Sequence, residues 1–305
     1  MASLSLINPP LPVTKARPGQ GPDPKLSAPP RKFKRPKKIP APEPTDSRIP
    51  TIAYVSNVSE FIKAIKSNVE IKLRPGIYNL SQARPINTRY VRWQKYGNEH
   101  EPIISSIHNL TISGEAETKI LIDPYIATVL SFEDSFNIRI QNVTIGHAKD
   151  AGACEGDVLS FRNVANIEII DSILFGSGAH GLHLSKTTNL TFTNSTIHGC
   201  TEGIAYIADS KQIGFNKAVF KNNDLFDNLD LIEVEKSEDI TFSYCNFENN
   251  KTTGNDTHIF NIDESSKNVN LNDSQINGNN VAKFINVELR LTERSNTFTK
   301  NSFAR

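Results

Sequence analysis

The chain has 305 residues, 37% of them hydrophobic and 22% charged, with a formal net charge of +1. That is enough apolar material for one sizeable core, and no stretch approaches the roughly 18 consecutive apolar residues of a membrane-spanning helix. The charge is uneven: residues 1–50 hold 13 of the 17 prolines and carry +7, while the remaining 255 carry −6.

Residues 1–50 form a Pro-rich basic arm that cannot bury enough apolar surface to fold alone, so a disordered or extended state is expected. Its densest point is Arg31-Lys-Phe-Lys-Arg-Pro-Lys-Lys38. This cluster at 31–38 either grips an anionic partner (nucleic acid, acidic glycan or a lipid surface) or serves as a solvated linker. A third option is an arm lying on the acidic remainder of its own or a neighbouring chain, which would make a homo-oligomer. Phe33 is the only interleaved aromatic, which argues against specific nucleic-acid reading. The opening Met1-Ala-Ser-Leu-Ser-Leu-Ile7 has no basic n-region and too short an apolar run for an export signal.

A domain covering residues 51–305 follows. Asn57-Val-Ser-Glu60 has the pattern of a capping box, and Val58, Phe61, Ile62 and Ile65 then lie on one face of a short helix. Ile71-Lys-Leu73-Arg-Pro-Gly-Ile77-Tyr78 is expected to form the first strand and turn. Seven repeats succeed it, each opening on an Asn-like residue and an alternating apolar pair: Asn109, Asn137, Asn166, Asn189, Gln212, Asp239 and Asn268. Their first apolar positions are 28, 29, 23, 23, 27 and 29 residues apart. Period-2 alternation at such spacings predicts strands stacked as the coils of a solenoid.

Aligned on the Asn-like residue, the units place small residues in one column (Val143, Ser172, Ser195, Ala218, Cys245, Ser274). Apolar residues fill the next (Ile145, Leu174, Ile197, Phe220, Phe247, Ile276). A preceding strand supplies Leu130/Phe132, Leu159/Phe161, Leu182/Leu184, Ala205/Ile207, Ile232/Val234 and Phe260/Ile262. The Asn column is expected to turn the chain, each side chain bonding to the next coil. No coil buries its apolar face alone, so stacking builds the core and a capping helix covers its open end.

These ladders resemble the right-handed parallel β-helix superfamily, the pectate-lyase-like folds, from about Tyr54 to the C-terminus. The expected fold is therefore all-β: a right-handed single-stranded parallel β-helix with a short N-terminal capping helix and a disordered basic arm. The resemblance implies export by family habit and an extracellular or cell-envelope location, although no signal peptide is visible and the alternative is a cytoplasmic protein, and it implies a polysaccharide as partner. Gly176-Ser-Gly-Ala-His180-Gly is similar to the Gly-His-Gly element of polygalacturonases, but no Asn-Thr-Asp or Asp-Asp pair accompanies it. The Arg-centred motif of pectate lyases and the Asp-Pro-His-Asp of mannuronan epimerases are missing too.

In such a fold, chemistry sits on an outward sheet face or in bordering loops. Counting from the Asn corner gives one outward column, Ser131, Ser160, His183, Tyr206, Glu233 and Asn261, and a second, Glu133, Arg162, Ser185, Ala208, Glu235 and Asp263. The connections between apolar columns are 14, 8, 8, 12 and 13 residues long, so the surface should dip over the two short coils. His147, Asp150, Glu155 and Asp157 are expected on one wall, Asp224, Asp227 and Asp230 on the other, with His180, His183, His198 and Glu202 on the floor. His183, Glu233, Tyr206 and His180 are the candidate catalytic groups, and Arg162, Glu202, Asp157 and Glu235 the candidate substrate contacts.

Paired carboxylates suit glycoside hydrolysis, and carboxylates with loop carbonyls suit Ca²⁺. Zinc would draw on His198-Gly-Cys200 and Cys154, but there is no paired ligand spacing, and no metal ligand set is assigned. Cys154 and Cys200 lie one or two coils apart, and spacing alone does not make them a disulfide. The function expected is binding or processing of a polysaccharide, by a lyase or hydrolase if an enzyme. The alternative is a non-catalytic structural or adhesion scaffold tethered by its arm.

Overall fold

Alternating apolar residues can be buried here only by copies of the same strand from adjacent coils. The computed structural model describes residues 49–303 except 97–98, 124–125, 149–154, 177 and 227. Almost all of the arm, with its 31–38 cluster, and Asp150, Cys154 and Asp227 therefore lie outside the described residues. No helix among those described is long and apolar enough to cross a membrane.

Successive coils pair in parallel and in register. Leu159 opposes Leu130 and Leu182, and Ala205 opposes Leu182 and Ile232. Beyond the Asn corner, Ile167 opposes Ile138 and Leu190, and Ile213 opposes Leu190 and Ile240. A third set, from Ile77–Asn79 to Thr297–Thr299, forms a nine-stranded sheet carrying the Ile145-to-Ile276 column. Every inward residue read from the sequence is buried, the small column included. Rings stack along the axis, with Phe132–Phe161 centroids 5.2 Å apart, Phe215–Phe242 4.6 Å and Phe220–Phe247 4.8 Å.

Each regular coil turns through four left-handed residues: Lys186, Asn189, Asn194 and Gly199, then Asp209, Gln212, Lys217 and Asn222. Asn and Asp favour this conformation because their short side chains bond locally. At the second corner the expected ladder is present: Asn109 Nδ2 donates to Asn68 Oδ1 at 2.7 Å, Asn137 to Asn109 at 2.8 Å, and Asn166 to Asn137 and Asn189 to Asn166 at 2.9 Å. A second ladder, not anticipated, is buried at Asn223, Asn250 and Asn279 and reaches the half-buried Asn301. Asn223 donates to Asn250 and Asn250 to Asn279, both at 2.8 Å, and Asn279 to Asn301 at 3.0 Å.

The N-terminal end differs in detail from expectation. A strand Thr51–Val55 precedes the helix and pairs in parallel with Val69–Leu73, so the latter is the second strand rather than the first. The helix Val58–Ala64 is capped by Asn57, whose side chain accepts from Glu60 N at 3.0 Å, and it buries Phe61 and Ile62. An antiparallel hairpin, Val91–Tyr96 with Glu99–Ser105, is inserted between the early coils and has no counterpart in the repeat.

Candidate functional site

Register carries the outward columns across the sheet as the sequence predicts. His183 opposes Ser160 and Tyr206, Tyr206 opposes Glu233, and Glu233 opposes Asn261. Ser131 and Ser160 are only 6% and 4% exposed, so the accessible face begins at His183. From there Tyr206, Glu233 and Asn261 are half-buried.

Around this floor the side chains converge. The Tyr206 ring lies 5.1 Å from His183 and 5.5 Å from His180, and the two imidazoles are 5.8 Å apart, edge to face. Tyr206 Oη donates to Glu235 Oε2 at 2.8 Å. Asp157, one coil away, accepts from His180 N at 3.0 Å, and its carboxylate lies 3.3 Å from His180 Nδ1 and 3.0 Å from His183 Nδ1. Gly203 makes the cluster sterically feasible: it stands opposite His180, and a Cβ there would fall 2.4 Å from His180 Cδ2.

The electrostatics separate the acids. Burial alone would raise the Asp157 carboxyl, but hydrogen bonds from His180 and His183 overcome it and hold Asp157 well below the usual carboxylate range. Glu233 moves the other way: burial raises it, His180 pulls it down, and Asp230 and Glu235 push it up. Glu202 is raised by burial and by Glu155 and Asp157, against the attraction of His180. Burial and the Glu235 bond push the Tyr206 hydroxyl up to about 12, so it stays protonated at neutral pH.

Seven of the eight candidate residues thus meet around one patch, Glu202 through its electrostatic coupling to His180 and Asp157. Arg162 stands apart, bonding Glu133 Oε1 at 3.1 Å, with Ser185 and Ala208 between it and Glu235 in its column. The expected walls and floor need correction. His147 is buried with Nε2 2.8 Å from the Ala127 carbonyl oxygen, because its strand turns it inward. Asp230 is also buried, bonded to His258 and Asn261 of the next coil. His198 stacks on Phe175 at 5.8 Å in the neighbouring sheet, away from the cluster. Cys200 is sealed in the core, so His198-Gly-Cys200 cannot present two ligands to one ion.

What the sequence did not disclose is that Asp157, His180 and His183 bring their ligand atoms within 4.8 Å of one another. Asp157 precedes its strand in an irregular stretch, and counting alternation does not reach it. A groove follows the first Asn ladder, lined by Thr111, Ile138, Arg139, Ile167, Glu168 and Thr191. Arg139 and Glu168 pair there, and the groove holds none of the candidate residues.

Parallel in-register coils closed on a common core define a β-helix. The chain belongs to the family described as the right handed beta helix region, which it matches over residues 128–303. No curated protein sequence matches it. Among solved structures it is similar to the surface protein and adhesin PfbA of Streptococcus pneumoniae, at 13% identity and TM-score 0.47 over 84% of this chain and 87% of that one. It is also similar to the pectin methylesterase of Aspergillus niger (12%, 0.48, 80% of each chain) and to pectin methylesterase PemA of Erwinia chrysanthemi (11%, 0.41, 74% and 78%). At this distance they speak to neither activity nor substrate.

Proposed function

We propose that the face formed by His183, Tyr206 and Glu233 binds a polysaccharide, and that the protein acts on or holds this ligand outside the cell. The observation that carries the reading is Tyr206. A half-exposed aromatic ring, fixed by its bond to Glu235 and flanked by two imidazoles, offers an apolar face and a ring of polar partners. Sugars present the same mixture of C–H faces and hydroxyls, and an apolar surface with a few convergent polar groups is the usual lining of a ligand site. Glu235, Glu233 and Asp209 act on the Tyr206 hydroxyl, and Asp157 and Glu202 on the neighbouring His180, so a neutral polysaccharide suits the face better than a polyuronate unless Ca²⁺ bridges the charges. If turnover occurs, His183 and Glu233, adjacent to the ring on either side, are the groups placed for proton transfer.

A scaffold role is the second reading, and one observation favours it. Asp230, His258 and Asn261 form a comparable carboxylate–imidazole contact that is buried and tie two coils together. The readings separate on a glycan array run with and without Ca²⁺, followed by reducing-end and unsaturated-product detection on every hit. Binding lost in His183→Ala and Glu233→Ala at unchanged thermal midpoint supports the site. Unaltered glycan behaviour in both variants removes it, and silence throughout leaves the scaffold.

A further inference from the structure

The coil repeat contains its own control for the Asp157 cluster. Asp157 lies two residues before the inward Leu159, and Asp230 two before the inward Ile232, three coils on. Both carboxylates cap the next coil in the same way. Asp157 Oδ1 accepts from His180 N at 3.0 Å and faces His180 Nδ1 at 3.3 Å. Asp230 Oδ1 accepts from His258 N at 2.6 Å and faces His258 Nδ1 at 2.9 Å. The other oxygen differs in partner: His183 Nδ1 at 3.0 Å in the first copy, Asn261 Nδ2 at 2.7 Å in the second.

An amide therefore satisfies everything the coil requires at this place. The second imidazole adds something the stack does not need: a ring nitrogen that donates to the carboxylate as N–H and becomes a metal ligand once that proton is displaced. The copies also differ in access: the side chains of His180 and His183 are 20% and 25% exposed, whereas that of His258 is 8% exposed. Spacing fits as well. Bonds of about 2.0–2.1 Å in a tetrahedral zinc site put ligand atoms roughly 3.3 Å apart; here each imidazole Nδ1 faces a different Asp157 oxygen, at 3.3 and 3.0 Å, and one ligand atom from each of the three residues lies within 4.8 Å of the others.

We propose that Asp157, His180 and His183 bind a divalent transition-metal ion, zinc fitting best, through two imidazole nitrogens and one carboxylate oxygen. Nitrogen ligands disfavour Ca²⁺ and Mg²⁺, which take oxygen. The partial exposure of both imidazoles leaves a side of the ion open to solvent and to Tyr206.

The test uses the tag-free full chain, titrated calorimetrically with ZnCl₂, with Co²⁺ absorption as a spectroscopic probe. The proposal expects one zinc per chain, visible Co²⁺ bands abolished by zinc, and a thermal midpoint that rises with zinc concentration. His183→Asn copies the natural arrangement at Asn261. It is expected to keep the metal-free midpoint and to lose at least about tenfold in zinc affinity, since even outer-shell changes cost that much. Asp157→Asn, which keeps an oxygen to accept from His180 N, provides a second variant should the first not fold. Absence of zinc and Co²⁺ binding in the natural chain overturns the proposal, as does unchanged stoichiometric binding in the variants. The readout is the metal itself, so it stands or falls independently of any glycan result.

Discussion

Tyr244 holds a left-handed φ of 55° at a corner that Asn194 occupies two coils earlier, and its ring is 59% exposed. A non-glycine, non-Asn residue in that conformation costs on the order of 1–2 kcal/mol, and little packing offsets it. Tyr244→Asn is accordingly expected to stabilise the chain by up to about 1 kcal/mol in urea titration; a loss of stability would show that the ring matters. Asp263 makes a pH prediction. Burial would raise its carboxyl, but Ser266, Ser265 and the backbone N–H groups of Lys236 and Ser266 bond it and bring it below its ordinary value. A depressed folded value means that the stabilisation is present above the ordinary Asp range, about pH 4, and is lost as pH falls through the folded value. Acid titration of stability should fall more steeply for the natural chain than for Asp263→Asn below about pH 4, and parallel curves would contradict this. At the site, Gly203→Ala should displace His180 and cost about 1–3 kcal/mol by overpacking, whereas an unchanged midpoint would mean that the ring moves freely.

The buried Asn ladder works at the scale of strands and turns. Asn250 accepts from Asn223 Nδ2 at 2.8 Å and donates to the Phe220 carbonyl at 2.9 Å and to Asn279 Oδ1 at 2.8 Å. Asn250→Leu keeps the volume but orphans those buried partners, each worth about 1–3 kcal/mol. We expect a loss of at least about 3 kcal/mol, and a near-neutral result would mean that water replaces the amide. Much of this level was legible in advance. Alternation and the Asn corner fixed the strands and their inward columns, because parallel in-register stacking makes columns of sequence into columns of structure. His183, Tyr206 and Glu233 were aligned by the same counting. The other corners were hidden because Lys186, Lys217 and Lys236 adopt left-handed turns that their chemistry does not announce. His147 and Asp230 were expected on the walls and are buried instead, since the connections fold inward and counting along strands does not follow them.

As a whole, a solenoid is stabilised coil by coil, each contacting its neighbours alone. The basic arm is a separate question. If arms are exchanged between copies, deleting residues 1–50 must lower the number of chains per particle, read by light scattering as mass divided by chain mass, and an unchanged number ends that idea. The claim about the patch is tested most directly by affinity for the strongest polysaccharide hit on the array, comparing the natural chain with Tyr206→Ala and with Thr191→Ala in the groove along the Asn ladder. The account predicts that Tyr206→Ala loses at least about tenfold, near 1.4 kcal/mol, while Thr191→Ala binds as the natural chain does. Equal binding by Tyr206→Ala, or a loss confined to Thr191→Ala, would contradict it.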